Sequence, residues 1–255
     1  MDLAAAERCL HDRSKVAFAA AAEAGVPGRF CAFEHNGLLA LLTTAPGLGF
    51  LNSISGLTEE SLDALPDVIA VFAAANASAP SLATDEPTLA LADGLRRLGF
   101  TAGQPRPVGT IDLLSLSAIP AEANDLHVTE AGTQDEELLF LDTLAAGYSP
   151  SPVLGRFLRA EHSAAGIRRF LAWQGDWPVA AAAFSVHRNA AVLGGAATVP
   201  AARRLGAQTA LLNHRLIQAA VAGAHAAVVT AAPESASARN LARAGFKIRR
   251  RHGWN

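Results

Sequence analysis

The stretch Leu193–Leu212, LGGAATVPAARRLGAQTALL, constrains this chain more than any other. It reads as an apolar strand, a tight basic turn containing glycine, and the first turns of a helix. Arg203 and Arg204 fall where that helix begins. A helix N-terminus already carries partial positive charge, so cations there are unfavourable unless an anion offsets them. Its free N–H groups are themselves a ready anion site. A strand that feeds a basic turn into a helix therefore points to a phosphate-bearing ligand. Two solvated arginines on a surface turn are the plainer alternative.

Bulk properties narrow the rest. With 255 residues, 51% hydrophobic and 17% charged, the chain can form one large core or two ordinary domains. A formal net charge of −2 argues against a generic nucleic-acid binder or an anionic-membrane binder. Cys9 and Cys31, the only cysteines, are too few for a disulfide framework or a cysteine-based zinc site and fit a reduced cytoplasm. The N-terminal segment is broken by Glu7, Arg8, His11, Asp12 and Arg13 and lacks the apolar core of a signal peptide. No apolar run reads as a membrane span. The histidines show no His-Glu-x-x-His spacing, so no metal is expected. Gly47-Leu48-Gly49 lacks the rest of a dinucleotide fingerprint, and no phosphate-binding Gly-x-x-x-x-Gly-Lys loop occurs. Arg249–His252 with Trp254 is expected to form a solvated, charge-blunted strand edge.

Local patterns give an alternating α/β order. A helix is expected over residues 2–24, then a hairpin of Arg29–Glu34 and Leu38–Thr44 around Asn36-Gly37. Phe50–Leu57 reads as a strand, Thr58 followed by Glu59 and Glu60 as a helix start, and Pro66 as interrupting that helix or opening a new one through Asp67–Ala74. A strand near Pro80–Ala83, a helix over Pro87–Leu98 and a strand at Thr110–Leu114 follow. Ser115–Asn124 is small, polar and proline-bearing, and reads as a linker. Beyond it come a strand at Leu126–Glu130, a helix at Gln134–Ala146 burying Leu138, Leu141 and Leu144, and a helix at Val153–Ser163. Strands at Arg168–Trp173, Val179–Val186 and Ala190–Val199 lead to a helix at Thr209–Ala222. A strand at Ala226–Thr230, a helix at Ser237–Ala244 and a strand at Phe246–Arg251 complete the order. The helix endings GLRRLGF (94–100) and LARAGF (241–246) suggest an internal duplication.

The second half resembles the GNAT superfamily of acyl-CoA-dependent N-acetyltransferases. The resemblance rests on Arg203-Arg204-Leu205-Gly206-Ala207-Gln208, which follows the family's Gln/Arg-x-x-Gly-x-Gly/Ala turn except at Gln208. A second element follows at Pro233–Asn240 and Arg243-Ala244-Gly245-Phe246. The resemblance implies an α/β (α+β) fold of two GNAT-like halves, 1–118 and 125–255, each a mixed, mainly antiparallel sheet flanked by helices. It implies that acetyl-CoA binds as co-substrate. Ala197, Thr198 and Val199 would pair with its pantetheine, and the Val199 amide chiefly would face the thioester carbonyl. Arg203, Arg204, Leu205, Gly206, Ala207, Gln208 and Thr209 would hold the pyrophosphate. Ser237 and Asn240 would face the other side of the arm. In the first half FLNSISGL runs into TEESL, acidic where a pyrophosphate would lie. That half should not bind acyl-CoA in the family manner. So few residues follow Phe246 that the first half is expected to complete or cover the sheet.

The implied reaction is attack of a primary amine on the thioester, with proton removal and protonation of the leaving thiolate. Where many family members place a tyrosine acid, this chain has Leu241. Tyr148, the only tyrosine, and Ser237 are the remaining candidates. Glu161 and His162 could contribute from the acceptor side, or form a solvated helix end. The expected function is acetyl transfer to a small-molecule or peptide amine by a monomer or homodimer. A non-catalytic acyl-CoA sensor and a transferase of longer acyl groups are the alternatives.

Overall fold

The computed structural model describes residues 1–115 and 126–255. The expected linker and the 118/125 boundary therefore fall, apart from Ser115, outside the described residues. In chain order the first elements are α1 (Leu3–Glu23), β1 (Phe30–His35), β2 (Leu38–Thr43), β3 (Ser53–Ser55), α2 (Leu65–Ala74), β4 (Ser81–Thr84), α3 (Leu89–Arg97), β5 (Ala102–Gly103) and β6 (Val108–Asp112). There follow β7 (Leu126–Glu130), α4 (Gln134–Tyr148), α5 (Pro152–Ser163), β8 (Arg168–Gln174), β9 (Trp177–His187), β10 (Ala190–Thr198), α6 (Ala207–Val221) and β11 (Ala226–Thr230). The last are α7 (Ala236–Arg243), β12 (Lys247–Arg249) and β13 (His252–Trp254). No helix among the described residues is long and apolar enough to cross a membrane.

The chain packs as two compact units, Met1–Gly109 with Thr230–Asn255, and Thr110–Val229. The compact units are not each continuous in sequence. The final segment returns to the first unit, and most of β6 joins the second.

In the first unit a sheet runs β1-β2-β3-β4-β13-β5. Asn36 and Gly37 both have positive φ, 47° and 84°, the geometry of the tight hairpin turn that Asn-Gly favours. Pro66 opens α2, where its missing N–H costs nothing. The expected strand Phe50–Leu57 shrinks to Ser53–Ser55. The 3₁₀ turn Gly49–Leu51 precedes it, and the Asn52 side chain takes the Thr43 N–H at 2.6 Å. Leu38, Leu42, Ile54, Leu65, Phe72, Leu82 and Trp254 form one core.

Arg249 and Arg250 are exposed, as expected of a solvated edge, but Arg251 and Trp254 are buried. β13 lies between β4 and β5, antiparallel to both. Arg251 is buried, pairs with buried Glu7 at 3.0 Å, and donates from Nε to Arg106 O at 2.8 Å. A run of arginines looks like a surface in sequence, but a matched carboxylate on α1 makes the burial of Arg251 tolerable.

In the second unit the strands run β6-β11-β10-β9-β8-β7, and β6, which comes from the first half of the chain, lies beside β11 within a seven-stranded sheet. Side chains alternate across it. Leu171, Ala181, Ala183 and Ala197 pack with Phe140, Leu141 and Leu144 of α4. Phe170 stacks on Phe184 and meets His214 of α6 on the other face. Leu138, expected in the core, is exposed instead. A capping box of Thr133 and Glu136 starts α4. Edge strand β7 is fastened by Glu130, which accepts from Arg168 Nε at 2.7 Å.

Candidate functional site

β10 pairs in parallel with β11 only over Ala190–Val192 against Ala226–Val228. It then continues to Thr198 with β9 alone. An open edge results in mid-sheet, and Gly194, Gly195 and Ala196 are half-buried between buried Leu193 and Ala197. The β9–β10 register slips between Gly194 and Ala197, a bulge with Gly195 at φ 55°. A Cβ on Gly195 would stand 2.0 Å from His162 Nε2, so only glycine fits. Two adjacent glycines inside an apolar strand are the sequence mark of such a bulge.

The turn after β10 leads to the helix end. Arg204 and Gly206 are left-handed, φ 70° and 93°; this alternation turns successive N–H groups into one concavity. Gly206 is the N-cap of α6 and offers no side chain to its first turn. Among the described residues nothing accepts from the N–H groups of Leu205, Gly206, Ala207 or Gln208. Thr209 N–H closes on Gly206 O at 2.9 Å. Arg204 and Leu205 are exposed. Arg203 NH2 reaches Gly147 O at the end of α4, 3.4 Å away, where a cation suits the helix C-terminus. Gln208, the departure from the family pattern, donates from Nε2 to Thr198 Oγ1 at 2.8 Å. It ties the end of β10 to the start of α6.

Val199 does not fill its expected role. Its N–H already donates to Val179 O at 2.9 Å, so it is not available to a thioester. Because N–H groups alternate along a strand, the Thr198 N–H points away from β9, toward the edge that β11 has left. α4 approaches that strand end closely: a Cβ on Gly147 would lie 2.6 Å from Ala197 Cβ.

Ala197, Thr198 and the residues Arg203–Thr209 are thus brought together. Tyr148 is half-exposed at the end of α4, before left-handed Ser149. His162 is not at a solvated helix end; it is fully buried, and its Nδ1 lies 2.9 Å from Leu158 O. A carbonyl only accepts, so Nδ1 carries the proton. Glu161 Oε2 stands 3.7 Å from His162 Nδ1. Ser237 and Asn240 lie on α7, in the first unit. Ser235, not Ser237, caps that helix, and Asn240 Oδ1 accepts from Arg243 at 2.8 Å. Leu241 is buried. Elsewhere in the second unit, hydrogen bonds from Arg168 hold the Glu130 carboxyl below its usual pKa, and burial pushes the His214 imidazole down. Among the described residues no group of three or more His, Cys, Asp and Glu could hold a metal.

No protein-family model and no curated protein matches this chain. Solved structures do. A GCN5-related N-acetyltransferase from Kribbella flavida superposes with a TM-score of 0.63 at 19% identity, over 94% of each chain. A GCN5-related N-acetyltransferase from Sphaerobacter thermophilus gives 0.62 at 11% identity, over 86% of this chain and 79% of that one. A tandem GNAT protein from the clavulanic acid biosynthesis pathway gives 0.56 at 13% identity, over 94% of this chain and 86% of that one. The split between β10 and β11, the bulge and the open helix end sit on a common architecture: this chain has the GNAT acetyltransferase fold.

Proposed function

We propose that the second unit binds acetyl-CoA and that the protein transfers its acetyl group to a primary amine. The observation that carries the reading is the uncapped N-terminus of α6, its first N–H groups unengaged among the described residues and flanked by Arg203 and Arg204. Those N–H groups hold the pyrophosphate, and the arginines add charge. The free edge of β10 pairs with the pantetheine as an added strand would. The acyl end then lies at the bulge. The Gly195 N–H, in place of that of Val199, faces the thioester carbonyl, where a donor aimed at the developing oxyanion lowers the barrier.

Tyr148, at the end of α4 in the same unit, is the proposed proton donor to the thiolate. A second reading, acyl-CoA binding without transfer, is favoured by buried Leu241 in the place of the family's tyrosine acid. Calorimetry with acetyl-CoA tests the site. A thiol-release assay with a panel of small amines and peptide N-termini separates enzyme from sensor. Tight acetyl-CoA binding without thiol release would favour the sensor, and no binding would sink both readings.

A further inference from the structure

Arg215 lies near the middle of α6 with only 4% of its surface exposed. Its Nε donates to Leu211 O in its own helix at 3.2 Å. Its NH1 donates to Ala183 O on β9 at 3.1 Å and to Gly194 O on β10 at 3.4 Å. Ala183 and Gly194 are register partners, and the ladder slips immediately beyond them. One guanidinium nitrogen thus takes a carbonyl from each strand where the bulge disrupts their pairing. The His162 ring fills the space that a side chain at Gly195 would need.

A carbonyl and the following N–H belong to one planar trans peptide and point opposite ways. The Gly194 carbonyl is turned toward Arg215 and β9, so the Gly195 N–H is turned toward the edge that β11 has left. A charged donor on the carbonyl also polarises that peptide and strengthens its N–H as a donor.

We infer that Arg215 is a positioning residue for acyl-group recognition. By holding the Gly194 carbonyl it fixes the bulge and sharpens the Gly195 N–H that meets the acyl carbonyl. It touches neither ligand nor acceptor. The inference rests on the acetyl-CoA reading above.

Acetyl-CoA and free CoA share every contact except those of the acetyl group. The ratio of their affinities for the full chain, measured by calorimetry, therefore isolates the acyl end. Arg215→Met should bind free CoA within about threefold of the parent while losing about tenfold against acetyl-CoA, the size of one charge-assisted hydrogen bond. Arg215→Lys, which can still reach a carbonyl, should recover part of the ratio. A merely structural role would weaken both ligands alike and leave the ratio unchanged, and that result would overturn the inference. If Arg215→Met does not fold, Arg215→Gln, a donor without charge, carries the same comparison. Failure of the parent to bind either ligand would instead remove the proposed function itself, and the inference with it.

Discussion

Two strand–turn–helix passages in this molecule share a plan and differ in their chemistry. β3 leads by a turn to α2, and β10 leads by a turn to α6; each strand has a short parallel pairing with the next strand. In the first passage the donors are already engaged. Gly56 N–H is accepted by the Glu7 carboxylate at 3.2 Å. Thr58 N–H goes to Ser61 Oγ at 2.9 Å and Ser61 N–H to Thr58 Oγ1 at 3.3 Å. Glu59 and Glu60 add negative charge. In the second passage the corresponding N–H groups meet no protein acceptor among the described residues, and two arginines stand beside them. Topology alone therefore does not leave a turn's donors open. The difference lies in whether the turn's own side chains have already satisfied its donors.

The sharpest way to break this comparison is Gly206→Trp. A left-handed N-cap and an indole in the concavity should together weaken acetyl-CoA binding on the order of 1000-fold, about 4 kcal/mol. Calorimetry on the folded variant would show this; retained affinity would place the ligand elsewhere. Next comes Glu7→Ala, which should lower unfolding stability in denaturant by about 3 kcal/mol, because Arg251 is left buried without its partner. A double replacement, Glu7→Leu with Arg251→Met, should cost less than the single change. If the single change is harmless, the internal carboxylate is not what holds the first turn together.

Arg204→Ala should weaken acetyl-CoA about tenfold and flatten the salt dependence of binding. Arg204→Gly should weaken binding similarly, but raise the melting temperature relative to Arg204→Ala, since glycine accepts φ 70° without strain. The smallest effect expected is on pH dependence. Burial holds the Glu7 carboxyl above its ordinary 4.5 despite Arg251. A raised carboxyl stabilises the folded form in acid and loses that contribution as pH rises through its folded pKa. Glu7→Gln should therefore flatten the fall in unfolding free energy above pH 4.5. An unchanged profile would show that other groups set it.

The local parts of this architecture were legible because their causes are local. Asn36-Gly37 specifies its hairpin, and the basic turn at Arg203–Gly206 announces the break between β10 and α6. What escaped depended on partners far away in the chain. The tripeptide His252–Trp254 has neither length nor period to mark it as an inner strand. Its place is set by Thr84, whose Oγ1 accepts from Trp254 Nε1 at 3.2 Å, and by Glu7. The role first given to the Val199 amide failed for a similar reason. Which N–H of a strand faces a neighbour depends on register, and register with β9 is shifted by a bulge that only Gly194-Gly195 hinted at. Nothing in an alanine-rich helix shows that Arg215 is the side chain that turns inward to reach two strands.

The return of β13 has a consequence for how the protein comes into being. The buried pair of Glu7 and Arg251 joins positions 244 apart, and the strand between β4 and β5 is made only after the whole second unit has been synthesised. The unit begun first during synthesis must wait, its sheet unclosed and an unpaired strand edge exposed, until the other is complete. Such an edge is open to pairing with other chains. Premature termination before Arg251 should thus endanger the beginning of the protein more than its middle.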